Sequence, residues 1–222
     1  MTAARGSLDE RGTALLLALG LTAILGAIAA VVAVTVRGET LIAGRFHQAR
    51  EAHYAAEGAL ARALQDLAAA PEWDSALAGA PSSFRDGDPA TPLGVTGSDR
   101  YLLCCGAGSV SASVQRAGNG GLSWGAETPQ WRLYAWGPVR SWLSAGVLHT
   151  PFYVAVWVAD DPSDGDGDAF SDANGVVALY SIALGPGGGR RAVRAVVGRP
   201  RDGAGAPLDR GVQTLSWHET RW

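Results

Sequence analysis

The chain has no lysine. All 18 of its basic residues are arginines, and 21 acidic residues leave a net charge of −3. An all-arginine basic set reads as the codon bias of a GC-rich coding sequence, not as a recognition code. No block of basic residues occurs, which argues against a nucleic-acid partner. Cysteine is nearly absent: there are two, adjacent at Cys104 and Cys105, so the chain encodes neither a disulfide framework nor the spaced pairs of a zinc site. In an exported domain the two either close a vicinal disulfide or stay reduced. The plainer expectation is two small, partly buried residues, one on each face of a strand. The histidines (His47, His53, His149, His218) are scattered, and no serine has a nucleophile-elbow context. The glycine-rich Gly185–Arg191 segment lacks the Lys-Ser/Thr ending of a phosphate loop and reads as a hairpin turn. No catalytic set is visible, so the expectation is that the chain is not an enzyme.

Charge is also missing from Thr13 to Val36, and proline from everything before Pro71. The uncharged run is about 24 residues, or about 36 Å as a helix. That is enough to cross a bilayer core of about 30 Å, and too long for a signal-peptide core of about 7–15 residues. Arg5 and Arg11 precede it, and although Asp9 and Glu10 offset them, acidic residues count little in the positive-inside rule, which puts the N-terminus in the cytoplasm. From Arg37 the pattern changes. Leu41, Ile42, Phe46, Ala49, Tyr54, Ala55, Ala59, Leu60, Ala63, Leu64 and Leu67 recur at helical intervals, with Arg45, Gln48, Arg50, Glu51, Glu57, Arg62 and Asp66 on much of the remaining surface. Pro71 ends the helix, because its ring disfavours a helical residue before it. The spacing therefore predicts one unbroken helix whose first half suits lipid and whose second half suits water and protein.

Those residues carry a resemblance. Arg11-Gly-Thr-Ala-Leu-Leu-Leu-Ala-Leu19 resembles the N-terminus of type IV pilin-like proteins, and more narrowly the PilX-type minor pilins and the K-type minor pseudopilin of type II secretion. Ala49-Arg-Glu-Ala-His-Tyr-Ala-Ala-Glu-Gly-Ala-Leu60 is similar to their amphipathic continuation. The resemblance covers about residues 5 to 68. It implies a prepilin leader over 1–12, cleaved between Gly12 and Thr13 by a prepilin peptidase. It also implies a membrane and filament-core helix over 13–36, its amphipathic continuation over 37–70 and a periplasmic or extracellular domain over 71–222. Most major pilins carry Glu at the fifth mature position; here that position is Leu17. A buried carboxylate without a partner is expensive in lipid, and its loss resembles subunits at the tip, which have no upstream neighbour to pair with. The implied partners are other minor pilins, the major pilin and a PilY-type tip adhesin. The implied locations are the inner membrane before assembly and the pilus tip after it.

Beyond Pro71 the chain is rich in glycine and tryptophan, holding 23 of the 30 glycines and all 8 tryptophans, which suits a turn-rich β domain. A loop-rich stretch precedes strand-like runs at Arg100–Cys105, Trp131–Trp136, Pro151–Ala159, Val176–Ala183, Arg191–Gly198 and Gly211–Thr220. A helix followed by successive strands predicts an α+β fold, with an antiparallel sheet packed on the apolar stripe from Leu41 to Leu67. The tryptophans are expected in the core and at interfaces.

One segment is chemically loaded: Asp160-Asp-Pro-Ser-Asp-Gly-Asp-Gly-Asp-Ala-Phe-Ser-Asp-Ala-Asn-Gly175. Asp164, Asp166, Asp168 and Asp172 fall at positions 1, 3, 5 and 9 of a calcium-loop pattern, and alternating Asp and Gly lets a tight loop turn hard oxygens inward. Ala169 and Gly175 stand where an EF-hand needs its glycine and its closing glutamate, so this is not an EF-hand. Asn174 or Asp161 can complete the shell. The alternative is a solvated acidic turn held by Asx-turns. The leading expectation is a minor pilin-like subunit that primes a type IV pilus and sits in its tip complex. The alternatives are a type II secretion pseudopilin and a membrane-anchored, calcium-dependent adhesive domain.

Overall fold

A computed structural model describes the backbone of residues 6–95, 100–120, 125, 128–141, 150–203, 208 and 211–220, with side chains from Gly12 onward. Met1–His47 and Gln48–Trp222 form two compact units. In the first, the chain is α-helical from Gly6 and belongs to helix α1 (Gly6–Ala69). With neither proline nor charge to interrupt it, the run through Val36 stays helical, and its Leu, Ile and Val side chains are exposed. Two of its hydroxyls are satisfied within the helix: Thr22 donates to the Leu19 carbonyl and Thr35 to the Val31 carbonyl, at 2.9 and 3.0 Å. Back-bonding of this kind removes the need for water around a hydroxyl in an apolar helix.

In the second unit, α1 ends at Ala69, one residue before the expected bound of 70, which leaves the residue preceding Pro71 non-helical as its ring requires. A single turn, α2 (Asp74–Leu77), follows, then a two-residue ribbon of β1 (Leu93–Gly94) and β2 (Arg100–Tyr101), then α3 (Val110–Gly118). Among the described residues, five strands follow: β3 (Arg132–Pro138), β4 (Tyr153–Asp160), β5 (Val176–Leu184), β6 (Arg190–Gly198) and β7 (Gln213–Thr220). They lie in chain order in one antiparallel sheet, with β3 and β7 at its edges. The expected α+β arrangement of a long apolar helix and an antiparallel sheet is what is observed. The Gly185–Arg191 segment is the β5–β6 hairpin, closed by a bond of 2.7 Å from the Gly185 amide to the Gly189 carbonyl.

Period-two alternation sorts the strand residues onto two faces. Val154, Val156, Val158, Leu179, Val193 and Ala195 pack with Ala52, Ala55, Ala56, Ala59, Leu60, Ala63 and Leu67 of α1. The small alanine face lets the backbones approach closely: the Ser181 hydroxyl donates to the Ala56 carbonyl at 2.7 Å. The other face, with Trp157, Tyr180 and Ile182, packs under Val110 and Val114 of α3 together with Leu103. Of the expected tryptophan core, Trp73, Trp131, Trp136 and Trp157 are buried, whereas Trp217 on the β7 edge is half-exposed. Trp124, Trp142 and Trp222, like His149, lie outside the described residues.

Two expectations need correction. The expected apolar stripe is not buried from Leu41 onward. Leu41, Ile42, Phe46 and Tyr54 are exposed, and burial begins at Ala52, because only the alanine-rich part of the helix is slim enough for close approach. The predicted strand over Arg100–Cys105 stops at Tyr101. Cys104 and Cys105 are joined by a disulfide, and Cys105 sits at φ 72°, a left-handed conformation that no strand can contain. The two thiols therefore do not point to opposite faces of a strand. The linked turn leads into α3, whose N-cap Ser109 accepts from the Ala112 amide at 3.2 Å. A cross-link between chain neighbours removes almost no entropy from the unfolded chain. Reduction is accordingly expected to change global stability by less than about 1 kcal/mol. Urea melts with and without a thiol reductant check this, and a loss above about 2 kcal/mol would contradict it.

Candidate metal centre and membrane helix

The fully buried run of β4 ends on a charged residue. Tyr153 through Asp160 are all buried, and Asp160 is 2% exposed. Alternation places it on the same face as Val154, Val156 and Val158, the face that packs with α1. Neither of its carboxylate oxygens has a hydrogen-bond partner. Burial pushes the Asp160 carboxyl up to about 8, and Asp164, Asp172 and Asp166 add to the rise by repulsion, while the nearby Asp161 amide opposes it. A buried carboxylate without partners normally either binds a proton or meets a cation.

The loop that follows brings two further carboxylates to it. One oxygen each from Asp160, Asp164 and Asp166 lie within 4.8 Å of one another. The chain folds back tightly because Gly165 and Gly167 take positive φ, 78° and 82°, where an L side chain would be strained. The other expected ligands sit in the same loop with their carboxylates directed to the backbone. Asp168 Oδ1 accepts from the Phe170 amide at 3.0 Å. Asp172 Oδ1 accepts from the amides of Gly175 and Val176 at 2.7 and 3.0 Å, capping the start of β5. Burial is the chief reason that Asp172 is also raised above its ordinary range. The Asn174 amide donates to Asp161 Oδ2 at 3.0 Å, and its own Oδ1 is buried without a partner. Asp166 Oδ1 accepts from the Asp168 amide at 2.8 Å in an Asx-turn, and Asp164 Oδ2 accepts from the Ala173 amide, nine residues on, at 2.7 Å.

The three-aspartate cluster, in which Asp160 is buried, Asp164 half-buried and Asp166 exposed, could hold a metal ion. Sequence reasoning missed Asp160 as a ligand because it counted positions from Asp164. A signal was available: Asp160 ends an eight-residue strand with no polar alternation, which marks a residue buried on a two-sided sheet.

Neither a protein-family model, nor a curated protein, nor a solved structure matches the chain. Its own residues therefore carry the functional reading. Besides the aspartate cluster, the outstanding feature is the N-terminal part of α1, which is long and apolar enough to cross a membrane and of which none of the most apolar window is buried. Such a helix is compatible with membrane anchoring. Gly12 and Thr13 lie within it, both exposed. Leu17 is likewise exposed, and residues 1–5 of the expected leader are outside the described residues.

Proposed function

We propose that the chain is a minor pilin-like subunit of a type IV pilus machine. It is held in the inner membrane by the Thr13–Val36 segment before assembly, and it primes the filament and sits in the tip complex afterwards. One observation carries this reading. A single helix has an apolar, fully exposed N-terminal part and a C-terminal part whose alanine face is built into an antiparallel sheet. A plain anchor does not need to continue into a core. A subunit that leaves the bilayer for a filament needs an apolar helical segment that runs on into its folded domain. Leu17 in place of a carboxylate supports a position with no upstream neighbour. The partners are then other minor pilins, the major pilin, prepilin peptidase and a PilY-type tip adhesin.

The aspartate cluster supports calcium as the cation. Its donors are all hard oxygens, with no imidazole or thiolate among the three, and a glycine-jointed loop suits the larger, less directional ion better than the strict octahedron of magnesium. The same cluster favours a second reading, a membrane-anchored adhesive domain whose surface calcium shapes.

N-terminal sequencing of membrane-extracted protein separates the two. Under the first reading, a prepilin-peptidase host yields a chain that starts at Thr13, and Gly12→Val blocks this completely. An intact Met1 in the wild type would overturn the pilin reading. Deletion with parallel piliation and secretion assays distinguishes the pilus from a secretion pseudopilus.

A further inference from the structure

The loop that would hold the cation is also the piece of chain that ties the end of α1 to the sheet. Asp172 donates its amide to Asp74 Oδ1 of α2 at 2.9 Å. Gly175, at the far end of the loop, accepts the Arg199 amide at 2.8 Å. The Arg199 guanidinium then reaches the carbonyls of Ala70 and Pro71 at 3.2 and 2.9 Å and lies 4.4 Å over the Trp73 ring. Arg201 holds the Asn174 carbonyl at 3.0 Å. Residues 70–77 are therefore gripped from the loop by Asp172 on one side and by Arg199, through Gly175, on the other.

The same loop has one fixed end and one loose end. Asp160 is buried with both oxygens unpartnered. Asp164 is half-buried and Asp166 exposed, so the surface end of the loop is the part free to retreat when no ion draws the three carboxylates together. Retreat moves Asp172 and Gly175 with it, because Asp164 is bonded to the Ala173 amide only one residue away from Asp172.

We propose that a calcium ion bound by Asp160, Asp164 and Asp166 acts as a clasp, closing loop 161–174 and thereby locking the C-terminal end of α1 to the sheet. This rests on the reading that the cluster holds a cation. Asp160 supplies the fixed ligand at the strand end, and Asp164 and Asp166 are the mobile jaws. Asp172 and Arg199 transmit closure to residues 70–77. The device makes the mechanical join between the helix and the folded domain depend on extracellular calcium.

Hydrogen exchange on the full chain in detergent micelles tests the clasp, read at the amides of Ala76, Leu77 and Ala78, which bond to Trp73 and Asp74 carbonyls. Terbium luminescence measures occupancy separately. At calcium about tenfold above its midpoint, exchange at these amides should slow about tenfold relative to chelator. Asp160→Asn should lose both terbium binding and the exchange response. Asp74→Ala, which removes only the transmitting contact, should keep terbium binding and show a weakened response at Ala76–Ala78. Terbium binding by the wild type with no calcium effect at these amides overturns the clasp and leaves the cation site standing. Absence of terbium binding by the wild type overturns both.

Discussion

Ala56→Leu is expected to destabilise the sheet unit by about 3 kcal/mol, the upper end for methylenes forced into a sealed core. Ala56 is fully buried, and its carbonyl is within hydrogen-bonding distance of Ser181 on the central strand. A branched side chain there meets the sheet at once, and relief requires the helix to lift, which also breaks the Ser181 bond and strands its hydroxyl. Leucine is nearly as good a helix former as alanine, so helix propensity does not account for such a loss. Ala61→Leu, one and a half turns on and exposed, is the matched control and should leave stability within about 0.5 kcal/mol. Leu41→Ser and Phe46→Ser, both at exposed positions, should behave like the control. Urea melts followed by tryptophan fluorescence read all four. A midpoint for Ala56→Leu equal to that of Ala61→Leu would show that the alanine face does not dock.

That contrast also separates what the sequence could and could not reveal. Helix α1 was legible because its signals agree: no proline, an apolar run, helical spacing, then Pro71. Which stretch of the amphipathic half docks was not legible, since periodicity marks a face without saying where along it a sheet lies. Leu41 and Phe46 satisfy the pattern as well as Leu60 and Leu67 do. Five of the six predicted strands coincide with β3 to β7, because each is a β-branched or aromatic run bounded by glycine, proline or aspartate. The sixth, at Arg100–Cys105, holds only over Arg100–Tyr101, because the bond between two neighbouring sulfurs goes with a local turn that leaves no periodicity to read. Helix α3 escaped notice for a related reason. Its sequence, Val-Ser-Ala-Ser-Val-Gln-Arg-Ala-Gly, has only two large apolar residues, Val110 and Val114, and their burial against Trp157 depends on a sheet that forms far along the chain. The close approach there also requires Gly118, where a Cβ would collide with the Trp131 ring. In the acidic loop, sequence showed that oxygens converge but not which ones. Asp164 and Asp166 come together with Asp160, whereas Asp168 and Asp172 accept backbone amides elsewhere in the loop.

The empty loop is expected to lose stability as pH rises from about 4 to about 8, by about 2 kcal/mol once screening by water at the loop surface is allowed for. The sign follows from Asp160. Its ordinary value is 3.8, and in the folded chain burial first, then repulsion from Asp164, Asp172 and Asp166, raises it to about 8. Between these values the folded state holds a proton that the unfolded state has released. Stability from this group is therefore complete below the unfolded value and is lost as pH climbs through the folded one. Asp172, raised chiefly by burial, acts in the same direction. Asp66 acts oppositely and elsewhere: burial would raise it, but hydrogen bonds from Ser83 and Arg62 outweigh this and lower it, so its effect falls below about pH 4. Urea melts of the wild type in chelator, from pH 5 to pH 8, check the trend. Asp160→Asn, neutral at every pH, should flatten most of it and should be more stable than the wild type at pH 8 without metal. Calcium should reverse that ranking, because the ion stabilises the charged form that burial disfavours, and its stabilising effect should grow with pH as the competing proton leaves. A solvated acidic turn predicts neither the decline in chelator nor the reversal by calcium. Wild-type stability that is flat or rising between pH 5 and pH 8 would place water, not a cation, at Asp160.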